Sequence, residues 1–279
     1  MDQAVSESIV IVEPSSGWRS LGLASLWEYH ELLYFLLWRD VKGRYRQMAF
    51  GPLWIVAQPL VNMLTFSLVF GRLAGLPSDG VPYPVFTLVA LLPWQFFANA
   101  TRNAANSLLN EQHVISKVYY PRLLIPISTV LSALVDFMVS FILIVIMLVF
   151  YRVVPPVTIV VLPLYLLLAA AAALGVGLLL ASLAVKFRDV PLGLNLALTV
   201  WQYVTPVAYS ATLVPEQWRT IYRLNPMAVV VEGFRSALLR RQFGPVDSIT
   251  LASVAIVVVI LVAGAYYFRA TERTIVDVL

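Results

Sequence analysis

Residues 123–151 read LLIPISTVLSALVDFMVSFILIVIMLVFY, and across that stretch only Asp136 carries a charge. Crossing about 30 Å of hydrocarbon takes roughly 20 apolar residues at the helical rise of about 1.5 Å per residue. The run is longer than that, and too long for a buried helix of a soluble core. It is also continuous, whereas a barrel strand would alternate apolar and polar positions over about 10 residues. A membrane-spanning helix fits, and five further stretches repeat the pattern. No Asp, Glu, Lys or Arg occurs from Gln47 to Gly71, Gly80 to Thr101, Val153 to Val185, Val190 to Pro215, or Ser248 to Phe268. The expectation is an all-α integral membrane protein with six transmembrane helices, near 52–72, 84–105, 123–150, 158–184, 191–210 and 248–268.

Composition agrees. Apolar residues make up 60% of the 279 and charged residues 12%, against about 25% charged in soluble domains. The net charge of +4 is explained by basic residues holding loops at anionic lipid, so no nucleic-acid partner is expected. Met1 to Ala24 mixes Asp2, Glu7, Glu13 and Pro14 with apolar residues, unlike a signal peptide. It reads as a cytoplasmic tail (1–24), followed by an amphipathic segment (25–46), the six-helix membrane domain (47–270) and a second tail (271–279).

The segment 25–46 has a helical pattern. Glu28, Glu31, Arg39, Lys42 and Arg46 fall on one stripe at 100° per residue, with Leu26, Leu33, Leu36 and Leu37 on the other side. Such a helix lies in the membrane interface, either as an anchor or as a docking surface for a cytoplasmic partner. Gly51-Pro52 then breaks it before the first span. Six spans put both termini on one side. Counted over termini and short loops, twelve Lys and Arg lie on the side of the termini and two on the other, so both termini are expected in the cytoplasm.

The fifth loop, Ala211 to Val246, departs from that rule with Arg219, Arg223, Arg235, Arg240 and Arg241. Asn225-Pro226 is a good helix start, and the apolar Met227 to Leu239 is too short to span. A surface helix or a re-entrant helix dipping into the outer leaflet fits, and the second is preferred. Glu232 and Arg235, three apart, can pair on one face. In the second loop, Asn110-Glu111 reads as the start of a short helix carrying His113 and Lys117. It fits an ordinary connection or a surface on which a partner pushes.

Few residues are suited to chemistry. A phosphate-binding loop needs Gly-Lys-Ser/Thr, and none of Lys42, Lys117 and Lys186 follows a glycine. With two His and no Cys, a zinc, haem or iron–sulfur centre is not expected. An enzyme acting on lipid-linked sugars would need several acids or a His cluster; Asp136 is the one intramembrane acid. It fits a structural hydrogen bond, with Ser132, Ser140 or Asn62 as partners, a proton relay, or a substrate contact. Trp94, Phe96 and Phe97, then Trp201, Tyr203 and Tyr209, form aromatic groups suited to interfacial belts or to stacking on sugar rings. Trp201 and Tyr209, eight apart, would share one face of the fifth span.

Seven motifs also occur in a telling order. They are Arg39-Asp40-Val41-Lys42-Gly43-Arg44-Tyr45-Arg46-Gln47, then Gly51-Pro52-Leu53-Trp54 with Gln58-Pro59, Leu91-Leu92-Pro93-Trp94-Gln95-Phe96-Phe97, and Lys117-Val118-Tyr119-Tyr120-Pro121-Arg122. Phe187-Arg188-Asp189-Val190, Thr205-Pro206-Val207-Ala208-Tyr209 and Leu224-Asn225-Pro226-Met227 follow. Together, from about Glu28 to Arg269, the chain resembles polysaccharide-export permeases of the type-2 ABC transporter family, most of all exporters of O-antigen-like lipid-linked polysaccharide. The resemblance implies a homodimeric six-span permease in the bacterial inner membrane, working with two copies of a separate ATPase that holds ATP and Mg; this chain itself would hold no cofactor. It implies ATPase contacts at the 25–46 helix (Glu28, Glu31, Arg39, Lys42) and in the second loop (Glu111, His113, Lys117). It further implies short periplasmic gate helices carrying Asn225, Pro226, Glu232 and Arg235. Trp94, Trp201 and Tyr209 are candidate channel contacts. Capsule, teichoic acid, or a small lipid or drug are alternative cargoes of the same plan.

Overall fold

The structure, a computed structural model, describes residues 27–46, 51, 53–112, 120–239 and 248–278. The tail 1–24, His113, Lys117, Arg240 and Arg241 lie outside the described residues. Among those described, every regular element is helical.

Helix α1 (His30–Arg46) precedes α2 (Leu53–Phe66), which continues as a π-helical turn over Ser67–Leu73. Then come α3 (Tyr83–Asn110), α4 (Leu124–Phe150) and, after a 3₁₀ turn at Val157–Val161, α5 (Leu162–Lys186). Helix α6 (Val190–Val204), a short 3₁₀ turn at Ala211–Leu213, α7 (Glu216–Leu224), α8 (Pro226–Leu239) and α9 (Ser248–Val278) complete the chain.

Four helical segments are long and apolar enough to cross a membrane: Leu53–Leu73, Leu124–Phe150, Val157–Lys186 and Ser248–Glu272. The other two expected spans differ from these for separate reasons. Helix α3 is long enough, at 28 residues or about 42 Å, but it is the central helix, packed on α2, α4, α5, α6 and α8. Nineteen of its residues are buried, so it does not need a lipid-facing composition. Helix α6 stops at Val204, six residues before the expected end, and its 15 residues reach only about 22 Å. Pro206 is the cause: it lacks an N–H and disfavours helix at the residue before it, and Thr205 is extended.

Close helix packing rests on small residues. A Cβ on Gly175 of α5 would stand 2.8 Å from the Cα of Leu261 in α9, and Gly264 of α9 abuts the Gly175 carbonyl. Helices without these side chains approach backbone to backbone. Helix α1 lies against α4, with Leu36 buried and Leu32 and Leu33 packed beside it. Its free side carries Trp27, Tyr34, Phe35 and Trp38, all exposed, next to the charged Glu28, Glu31 and Lys42. That mixture of aromatic and charged groups suits the membrane interface.

Candidate functional site

The side chains that set one surface apart lie on α3. Gln95, Asn99, Arg102, Asn103 and Asn106 recur at helical spacing and share a face about 100° wide. Polar side chains at this depth are costly in lipid, so the face has to meet protein or water. Toward α6, Arg102 donates from Nε to Asn195 Oδ1 at 2.7 Å and from a terminal nitrogen to Asn99 Oδ1 at 2.8 Å. Asn99 remains exposed. Gln58 of α2, also exposed, borders the face on the other side. The sequence reading missed this stripe because α3 was judged by its charges, and carboxamides carry none; their four-residue spacing is the signal that was available.

At the α1 end, two ion-paired groups tie the interface helix to the membrane helices. Arg39 makes a two-pronged contact with Glu111, with N–O distances of 3.0 and 2.5 Å, and also bonds Asp40 at 3.0 Å. Burial lowers the Arg39 pKa, but the hydrogen bonds and charges of Asp40 and Glu111 more than offset this and hold it above the usual arginine range. Arg44 pairs with Asp136 and donates to Ser132 at 3.1 Å, while the Tyr45 hydroxyl donates to Asp136 at 3.0 Å. Asp136 thus takes its partners from α1. Of the partners expected from sequence, Ser132 joins through Arg44, whereas Ser140 donates to the Ile55 carbonyl at 3.3 Å. Arg39, expected on the solvent stripe, is turned toward Glu111. Asn110 is the last residue of α3 and Glu111 caps its C-terminus, the Glu111 N–H bonding the Ser107 carbonyl at 3.2 Å; the short helix expected to begin here falls on 113–119, outside the described residues. Glu31 and Lys42 are exposed on α1, and Glu28 is exposed just ahead of it.

At the opposite end, a second polar cluster surrounds the break after α6. Asn225 caps α8, its side-chain oxygen accepting from Met227 N–H at 3.1 Å and from the Trp201 indole N–H at 2.9 Å. Its amide nitrogen donates to Thr205 at 3.1 Å. Pro226 is the first residue of α8. Arg235 is fully buried: it pairs with Glu232 at 3.0 Å, donates to the carbonyls of Tyr209 and Val207 at 3.1 Å each, and lies 3.6 Å over the Phe86 ring. The Tyr83 hydroxyl donates to the Ala208 carbonyl. The non-helical chain at 205–210 is therefore held by side chains of α3 and α8, which meets the requirement that irregular backbone at membrane depth be satisfied by protein. Burial, and then the Glu232 carboxylate, push the Tyr222 hydroxyl far above the ordinary phenol value, against the opposing charge of Arg235.

The aromatic candidates are placed differently from their expected arrangement. Trp94 is only 2% exposed and packs edge-on against Trp201 with centroids 6.2 Å apart. Trp201 also meets Phe97 at 5.1 Å. Tyr209 does not share a helix face with Trp201, because the helix has ended; its hydroxyl turns back to the Tyr203 and Val204 carbonyls at 3.2 and 3.3 Å. Among the described residues no His, Cys, Asp and Glu group is arranged to hold a metal ion.

Comparison with known proteins matches this arrangement to a family. The family model described as ABC-2 type transporter matches residues 31–239. The O-antigen export system permease protein RfbA of Myxococcus xanthus is 29% identical over 251 residues, 89% of this chain and 95% of its own. RfbA of Klebsiella pneumoniae is 29% identical over 210 residues, 75% of this chain and 80% of its own. The polysialic acid transport protein KpsM of Escherichia coli is 23% identical over 209 residues, 73% of this chain and 80% of its own.

Proposed function

The chain belongs to the ABC-2 type transporter family, and we propose that within it the protein is the permease subunit of a polysaccharide exporter in the bacterial inner membrane. The observation that carries the proposal is the carboxamide face of α3, open between α2 and α6. Neutral amides both donate and accept hydrogen bonds. A surface of them suits hydroxyl-rich cargo, and a face for a lipid or an apolar drug would leave them unpaired. The relatives' names, O-antigen export and polysialic acid transport, point to the same cargo class.

In this reading the chain crosses the membrane six times, α3 and α6 supplying the two passes beyond the four apolar spans, with both termini in the cytoplasm. Two copies face each other to form the pathway, with α2, α3 and α6 as lining and Trp201 and Tyr209 at its outer end. Two copies of a separate ATPase drive it with ATP and Mg. The ATPases meet α1 through Glu28, Glu31 and Lys42, and the second loop through Glu111, His113 and Lys117. Arg39 joins these two surfaces through Glu111. Helices α7 and α8, with Asn225, Pro226, Glu232 and Arg235, form the outer gate.

Deleting the gene should abolish surface polysaccharide and leave lipid-linked polymer at the inner face, with the wild-type copy restoring export. Unchanged surface polysaccharide in the deletion strain would reject the proposal.

A further inference from the structure

Where α1 lies against α4, two polar cavities are stacked along the carboxamide face of α3. The first, about 240 Å³, is bounded by Trp54 and Gln58 of α2, Gln95 and Asn99 of α3, and Asp136 and Ser140 of α4. The second, about 230 Å³, is bounded by Asp40 of α1, Asn103, Ser107 and Asn110 of α3, Thr129 of α4, and Glu111. Arg44 borders both and stands as the partition between them.

The chemistry of the walls narrows the occupant. Two guanidinium groups are at hand, but neither is free for an anion: Arg44 is engaged by Asp136 and Ser132 and Arg39 by Asp40 and Glu111. A phosphate would meet three carboxylates already present. What remains unengaged is neutral and two-handed. Gln58, Gln95, Asn103 and Asn110 hydrogen-bond to no described group, and each amide can both donate and accept. Gln95 and Asn103 are half-buried, where a polar group without a partner is unfavourable, while Gln58 and Asn110 are exposed. Paired carboxylates can accept from neighbouring hydroxyls. Amides and carboxylates around a space of this size are suited to a pyranose ring.

We propose that the two cavities are sugar-binding subsites within each protomer, one on either side of the Arg44–Asp136 pair. The inference rests on the polysaccharide reading and locates contacts that the reading itself does not. The first cavity centres near residue 96 of α3 and the second near residue 107, about 11 residues or about 16 Å apart. Adjoining sugar rings lie closer together than that. A mono- or disaccharide therefore occupies one subsite, and a longer chain reaches both and gains from the tether.

The test uses full-length permease in lipid nanodiscs and saturation-transfer NMR with free hexoses, N-acetylhexosamines and their di-, tri- and tetrasaccharides. Saturable binding is expected, with tri- and tetrasaccharides at least tenfold tighter than the disaccharide. Asn103→Leu should bring the longer sugars down to the disaccharide level, and Gln95→Leu should weaken all of them at least tenfold. Neither substitution removes a hydrogen bond within the described chain, so thermal unfolding should be unchanged; Gln58→Leu, at an exposed position, is the second route if Gln95→Leu fails to fold. Absence of saturable binding by any sugar, no effect of these substitutions, or competition by inorganic phosphate would each overturn the proposal. The gene-deletion experiment separates the two ideas: lost surface polysaccharide with no sugar binding removes the subsites and leaves the exporter, while intact surface polysaccharide removes the exporter whatever the NMR shows.

Discussion

Replacing Arg235 with Met keeps the length of the buried stem and removes the guanidinium. The ion pair with Glu232 is then lost, the carbonyls of Val207 and Tyr209 lose the donors 3.1 Å away, and Phe86 loses the cation above its ring. An orphaned buried acceptor costs about 1–3 kcal/mol, and removing one partner of a buried ion pair about 3–5 kcal/mol. These costs overlap, because one group supplies all of the bonds. The expected loss is therefore about 3–5 kcal/mol, not their sum. Glu232→Gln should cost about 0.5–3 kcal/mol less in the Arg235→Met background than in the wild type, which is the coupling between the two residues. Unfolding of the full-length permease by SDS in mixed micelles, followed by tryptophan fluorescence, measures both differences. An Arg235→Met variant within about 1 kcal/mol of wild type, or a Glu232→Gln cost that is the same in both backgrounds, would refute the clamp. Export should fall with the single variant, because the 205–210 segment is no longer held against α3 and α8.

Three further perturbations test other parts of the structure. Asp136→Asn keeps an acceptor for Arg44 and Tyr45 but removes the counter-charge; it should cost about 1–3 kcal/mol in the same unfolding assay and leave export largely intact, whereas complete loss in a folded, ATPase-bound complex would revive a relay role. Gly175→Val places side-chain atoms on the Leu261 backbone and should destabilise by about 1–3 kcal/mol, seen as a lower yield of monodisperse protein. Tyr222 has a folded-state pKa above its unfolded value near 10, so between those values the folded state holds the extra proton. Stability should be flat below about pH 10 and fall as pH rises above it. Tyr222→Phe, whose lost hydroxyl has no partner among the described residues, should shallow that alkaline slope in a pH series of thermal melts.

How much could be read in advance differs between the helices and their contacts. The apolar runs around α2, α4, α5 and α9 were legible, because lipid exposure demands one composition over a length set by the bilayer. The Glu232–Arg235 pair was legible too, since three residues along a helix bring two side chains together. The end of α6 at Val204 could have been taken from Pro206, but the unbroken apolar run to Tyr209 hid it. Asp136 was visible as an anomaly without its partner, and Trp94 was visible as an aromatic without its burial.

By itself, the sequence determined the class of the protein, the four long apolar helices α2, α4, α5 and α9, and the helix start at Asn225-Pro226. These follow from composition and spacing along one chain segment. Only the tertiary structure decided that Asp136 is held by Arg44, 92 residues away, that Arg39 joins α1 to the end of α3, and that Arg235 binds the broken backbone after α6. It also set the polar face of α3 between α2 and α6. Local spacing specifies which face of a helix a residue occupies, but the partner on that face comes from whichever helix packs there, and burial makes the choice because a polar group withdrawn from water needs a partner.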